Sequence, residues 1–195
     1  MDYPLSMSFK IMALAPQIYV RDAKGGTICY VKQKLLKLKE AVTVFVDETK
    51  SRVLCEIKAD LIIDWSANYH FHDTSGESFG SVRRKGMRSI WKAHYEVYDE
   101  SGQHSATIQE ENPMAKIADG LFGEIPVLGI FSGYVFHPKY LVSTPGGEQK
   151  LRLTKKPAML EGKYSIDKLA EMDEVEELRC LMAILMMSLL ERARG

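Results

Sequence analysis

The sequence predicts a mainly β fold, a closed antiparallel β-barrel of hairpins around a buried hydrophobic C-terminal helix, and three observations carry that expectation. From about residue 17 to 111, apolar and polar residues alternate with period two, and turn residues interrupt the alternation at short intervals. One hairpin pattern occurs three times in that stretch. The chain then closes on ELRCLMAILMMSLLERARG (177–195), whose middle is apolar on every side of a helix drawn through it.

The repeated units are IYVRDAKGGTICYV (18–31), YHFHDTSGESFGSV (69–82) and YEVYDESGQHSATI (95–108). Each reads apolar-x-apolar-x-Asp-x-x-Gly, with a β-branched residue nine positions after the aspartate. Asp22, Asp73 and Asp99 can bond their own turn backbone, and Gly25, Gly76 and Gly102 accept positive φ, so each unit predicts a strand, a tight turn and a returning strand. These carboxylates are too sparse for the oxygen cage of a calcium ion. VTVFVDETKSRVLCEIKAD (42–60) predicts a further hairpin, without the glycine. Hairpins with no helix between them make a barrel or a sandwich, and only the closed barrel removes every exposed edge.

Alternation also assigns faces. Ile18, Val20, Tyr69, Phe71, Tyr95 and Val97 turn inward, which sends Tyr19, Arg21, His70, His72, Glu96 and Tyr98 outward. His70 and His72 share a face, but no third ligand at metal-site spacing accompanies them, so they read as exposed strand histidines and no metal is expected.

Residues 112–133 break the rhythm. Asn112 suits an N-cap, Pro113 the first helical position, and Met114, Ile117, Ala118 and Leu121 recur at helical spacing, which predicts a short helix. The apolar loop IPVLGIF (125–131) follows, either tucked against the barrel or exposed to a partner or membrane. Further strands are expected over 134–168, with Pro145-Gly146-Gly147 as a turn.

The last element is a helix over about 172–192, with Asp173, Glu174, Glu176 and Glu177 at its start and Arg192 and Arg194 at its end, the polarity its dipole favours. Its uninterrupted apolar part, Cys180–Leu190, is eleven residues. That spans roughly 16 Å against about 30 Å of hydrocarbon, too short to cross a bilayer. Leu181, Met182, Ile184, Leu185, Met186, Met187, Leu189 and Leu190 cover the whole circumference. Burying eight such side chains is worth roughly 12–24 kcal/mol as an upper bound, so something must enclose them. The upstream hairpins supply the enclosure, and methionine adapts to an irregular cylindrical space.

Composition sets outer limits on function. At 195 residues the chain suits one domain (1–195) with a sizeable core. Equal counts of 26 acidic and 26 basic residues exclude the global basic field of a protein that binds nucleic acid mainly by charge. Cys29, Cys55 and Cys180 are odd in number, widely spaced and set in apolar runs, which predicts buried, reduced thiols and a cytoplasmic setting. The opening MDYPLSMSFKIMALAPQ makes a poor signal peptide and is read as mature protein. No hydrolase elbow, phosphate-cradling glycine loop, metalloprotease helix or Cys-x-x-Cys pair is present, so no catalytic residue and no cofactor is nominated. Trp65 and Trp91 read as core or rim aromatics.

Hairpin repeats followed by one all-apolar helix resemble the tubby-like superfamily, and more closely the LURP-one-related family, which is similar in turn to phospholipid scramblases. The stretches that carry the resemblance are YVRDAKGGTICYVKQK (19–34), GESFGSVRRK (76–85), YEVYDESG (95–102), FHPKYLV (136–142) and the final helix. The chain lacks the Pro-rich N-terminal region and the additional membrane helix of scramblases, and the F-box of many plant tubby proteins. The resemblance implies a closed barrel around a central helix, and a binding module in place of an enzyme. Tubby-type domains bind phosphoinositide headgroups through basic residues on the barrel exterior, so it further implies a site for an anionic lipid or phosphorylated ligand, peripheral at a membrane.

The sequence offers a basic patch for that role. Lys24, Lys32, Lys34, Lys37 and Lys39 occur with no acid between Ala23 and Lys39, and Arg83, Arg84, Lys85, Arg88 and Lys92 with none between Ser78 and Tyr95. The two runs hold equivalent places in two repeats, so side-by-side hairpins would join Lys32, Lys34, Arg83, Arg84 and Lys85 into one cationic site for a phosphate headgroup. The plainer reading is that these cations solvate outer strand faces and guard edges. The alternative role is structural or protein-interacting, through 125–131. Ile184→Asp, or truncation before Leu178, is expected to abolish soluble expression; a soluble, folded truncate would show that the helix is peripheral.

Overall fold

The computed structural model describes residues 1–10, 17–32, 41–60, 67–85, 94–111, 139–157 and 161–192. Twelve strands run β1 (Leu5–Lys10), β2 (Gln17–Arg21), β3 (Thr27–Lys32), β4 (Ala41–Phe45), β5 (Val53–Ala59), β6 (Asn68–His72), β7 (Ser78–Arg84), β8 (His94–Tyr98), β9 (His104–Glu110), β10 (Lys139–Ser143), β11 (Gln149–Lys156) and β12 (Glu161–Lys168), followed by helix α1 (Glu174–Arg192). Each strand pairs antiparallel with its sequence neighbours, and β1 pairs with β12, so the sheet closes into a barrel. The short helix and apolar loop expected over 112–133 lie outside the described residues.

All three repeated hairpins form as expected, and two more share their design. In each, the register slips by one residue just before the turn, at Val20/Arg21, Val44/Phe45, Phe71/His72, Val97/Tyr98 and Val142/Ser143. Asp73 Oδ1 accepts the backbone N–H groups of Ser75 at 2.9 Å and Glu77 at 3.0 Å, and Asp99 repeats this with Ser101 and Gln103. Their carboxylates serve as turn formers. Asp47 and Thr144 occupy the aspartate position in the other two hairpins. The glycine position is held by Lys50 at φ 58° in one and by Gly147 at φ 89° in the other.

Strand β1 is the element the sequence reading leaves out, since it places no strand before residue 17. Leu5, Met7 and Phe9 alternate inward against Ile166, Tyr164 and Gly162 of β12 and against β2, sealing the barrel. Helix α1 runs through the lumen. Asp173 caps it, its Oδ1 accepting the Glu176 N–H at 2.8 Å. Leu181 to Leu185 are each fully buried, in one cluster with inward residues of the barrel wall. No helix among the described residues is long and apolar enough to cross a membrane.

The core also holds the three thiols, Cys29 and Cys55 on the barrel wall and Cys180 on the helix, all free and buried. Cys55 Sγ lies 3.4 Å from Met182 Sδ of the helix. Burial pushes the Cys55 and Cys180 thiols up to about 12.

Lys50 holds a left-handed conformation that costs an L-residue about 1 kcal/mol. Lys50→Gly should therefore raise Tm by about 2 °C. Gly76→Ala should lower it comparably, because a Cβ there meets nothing within 4 Å and the whole effect is φ strain. Thermal melts followed by circular dichroism check both signs.

Candidate functional site: an outer groove over β6, β7 and β8

The lumen is occupied by α1, and a concavity among the described residues lies outside. Asn68 and His70 of β6, Ser78, Gly80, Ser81 and Arg83 of β7, Tyr98 of β8 and the turn 99–102 line a groove of about 390 Å³. Cross-strand register builds it. Lys58, His70, Ser81, Tyr98 and His104 follow one another as direct partners across β5 to β9, and Asn68, Arg83, Glu96 and Thr107 form the adjacent row.

The second row is an ion-pair cluster. Lys85 Nζ donates to Glu96 Oε1 at 2.5 Å, Tyr98 OH donates to Glu96 Oε2 at 2.7 Å, and Arg83 donates to Tyr98 OH at 2.6 Å. The Arg83 guanidinium also stacks 5.3 Å from the Tyr98 ring centre. Glu96 keeps only 10% of its side-chain exposure, against 48% for Arg83. Burial pushes the Glu96 carboxyl up, but hydrogen bonds from Lys85, Tyr98 and Arg83 outweigh it and hold the group at about 2.

Behind the groove, Arg179 of α1 reaches the wall, its Nε donating to Phe79 O at 2.7 Å and its guanidinium pairing with Glu100 in the β8–β9 turn. Gly80 makes room for it. A Cβ there would stand 2.6 Å from Tyr98 O and 2.8 Å from Arg179 Cδ, at a φ of +143°.

Of the five cations nominated from sequence, Arg83 and Lys85 point outward at this site, while Lys34 lies outside the described residues. Lys32 is exposed on β3, but β4, β5 and β6 separate β3 from β7. The two basic hairpins are therefore not side by side, and about 19 Å of wall divides them. Arg84 corrects the expectation a second time. It faces inward, 9% exposed, with its Nε 3.7 Å from Glu191 Oε1, because alternation that sends Arg83 out must turn Arg84 in. Glu96 is the residue sequence reasoning missed as a functional partner. It lies one position past the acid-free run, but hairpin pairing sets it directly opposite Arg83.

A family model described as LURP-one-related matches residues 27–125, just over half of the chain. The crystal structure of a protein from Arabidopsis thaliana superposes with a TM-score of 0.50, covering 94% of this chain and 90% of that one at 9% identity, a likeness of fold. Among curated proteins, none matches.

A glutamate carboxyl ordinarily titrates at 4.5, so the depressed folded value of Glu96 contributes stability that is fully present above about 4.5 and is lost as pH falls through about 2. Urea midpoints measured across that window should fall less steeply for Glu96→Gln than for the native chain. Parallel acid limbs would show that the cluster does not hold the carboxylate down.

Proposed function

Because the chain belongs to the LURP-one-related family and its barrel is filled by its own helix, we propose that it is a non-enzymatic binding module whose ligand is an anionic, phosphate-bearing group met on the outside of the barrel. The observation that carries this reading is the exposed Arg83–Lys85 pair beside a polar groove. A guanidinium offers phosphate a two-point contact, and the ammonium adds a point charge. Glu96 neutralises part of this charge and fixes the Arg83 fork in place, so an incoming phosphate competes with a carboxylate. Such competition favours a ligand with two or more negative oxygens over a singly charged one. Lys32 lies too far round the wall to join the same contact and serves as separate outer-face charge.

Co-sedimentation near pH 7.5, where histidines are ordinarily neutral, and at low salt tests the reading. Binding to anionic phosphatidylserine vesicles, absent with neutral phosphatidylcholine vesicles and weakened by salt, is the expected result. Titration with soluble glycerophosphate distinguishes a free phosphate ligand from a lipid surface. Glu96→Gln should strengthen binding by freeing both cations. Adding Arg83→Gln and Lys85→Gln to that variant should abolish it without leaving a carboxylate unpaired. Equal sedimentation with neutral vesicles, or full binding by the triple variant, would overturn the proposal.

A further inference from the structure

The described histidines are unevenly placed. His70, His72, His94 and His104 all lie on β6, β8 and β9, the strands around Arg83. Histidine is the side chain whose charge ordinarily changes between pH 5 and 8. With these rings neutral, the outer face of β5 to β9 is nearly balanced. Lys58, Arg83 and Lys85 meet Glu56 and Glu96, Glu56 at 2.8 Å from Lys58 and Glu96 between the other two. Among the described strand residues one net positive charge remains, and the acids at its margins, Asp60, Asp73, Glu77, Asp99 and Glu100, oppose even that, with Glu100 engaged by Arg179.

Two of the histidines are set to accept a proton without losing a hydrogen bond. Asn68 Nδ2 meets His70 Nε2 at 3.3 Å, which suits a neutral ring accepting from the amide. Asn68 Oδ1 is shielded from water and has no hydrogen-bond partner among the described residues. Protonation makes His70 Nε2 a donor, and turning the Asn68 amide over brings that orphaned oxygen to meet it. His104 Nε2 lies 3.0 Å from Thr107 Oγ1, a hydroxyl that donates to the neutral ring and accepts from the charged one. On β8, Tyr98 faces His104 with ring centres 5.8 Å apart, and on β10 the partner of Thr107, Ser143, is uncharged.

The other two are held back. His94 is pushed down by burial and by the neighbouring Lys85. His72 Nδ1 is shielded from water and has no hydrogen-bond partner among the described residues, so this ring has no acceptor ready for a second N–H.

We infer that the outer face of β5 to β9 is an acid-switched docking surface for an anionic lipid bilayer, with His70 and His104 supplying the charges that turn it on. The inference rests on the anion-binding reading above and adds its regulation and its partner. The cross-strand row Lys58–His70–Ser81–Tyr98–His104 then carries a positive charge at both ends and on the flank of the groove. Five strands span about 19 Å, two Debye lengths at physiological salt, so the row presents a patch that a membrane surface can meet and a single phosphate cannot. Arg83 lies on the next row and Lys85 one row beyond it, and both join the same footprint.

The experiment is co-sedimentation of the full chain with phosphatidylserine–phosphatidylcholine vesicles and with phosphatidylcholine vesicles, near pH 5.5 and near pH 7.5, with circular dichroism confirming the fold at both. Two added charges near an anionic surface should raise binding about tenfold or more on acidification, with no rise on neutral vesicles. His70→Gln with His104→Gln should remove the rise, so that the double variant binds anionic vesicles equally near pH 5.5 and near pH 7.5. Equal binding at the two pH values, or a rise that persists in the double variant, would overturn the switch while leaving the anion site standing. Absence of anionic binding at both pH values would overturn both.

Discussion

A closed sheet of eight strands can be filled by its own side chains, but twelve strands enclose a wider lumen that they cannot fill. An α-helix with side chains, about 10–12 Å across, fits the space left over. Every other structural feature depends on that mutual need. The helix cannot stay in water because no face of it is polar, and the sheet cannot close around nothing without losing the dispersion contacts of a packed interior. Inward residues from strands at both ends of the sequence, Met7 and Val20 as well as Leu153 and Ile166, belong to the same cluster as Ile184 and Leu185. The barrel wall and its filling are therefore one core.

Polar groups mark where the helix meets the barrel ends. Near its start Arg179 is held by Phe79 O and Glu100, and near its end Glu191 accepts from Tyr95 OH at 2.6 Å. Each charge finds a partner where the lumen opens, which avoids the cost of an unpaired buried ion. The Arg179 contact has a second effect, because it fixes the turn that walls the outer groove. Core and surface are thus joined through one side chain, and a filled lumen directs recognition to the outside.

Much of this was legible in the sequence because local physics decides it. Asp22, Asp73 and Asp99 form their turns through bonds two and four residues away, so a pattern within fourteen residues reveals them. The helix was legible because its apolar circumference allows no exposed solution. Strand β1 was not, since LSMSFK is short, stands apart from the repeats and takes its meaning from β12, about 160 residues away. The site was read only in part, for the same reason. Arg83 and Lys85 were found by composition and alternation, but an acid-free run of sequence is not an acid-free surface. Glu96 reaches them across a hairpin, and the separation of β3 from β7 depends on strand order, which no single strand encodes.

The claim on which the account rests is that helix and barrel form one cooperative unit. The chain carries its own reporters of this, Cys29 on β3, Cys55 on β5 and Cys180 on the helix, all buried. Reaction with a chromogenic disulfide reagent, followed through a denaturant titration alongside far-ultraviolet circular dichroism, reads them directly. The account predicts that all three thiols become reactive in a single transition that coincides with loss of the sheet signal. Reaction of Cys180 while the sheet signal is intact would mean that the helix leaves a barrel able to stand empty, and would contradict it.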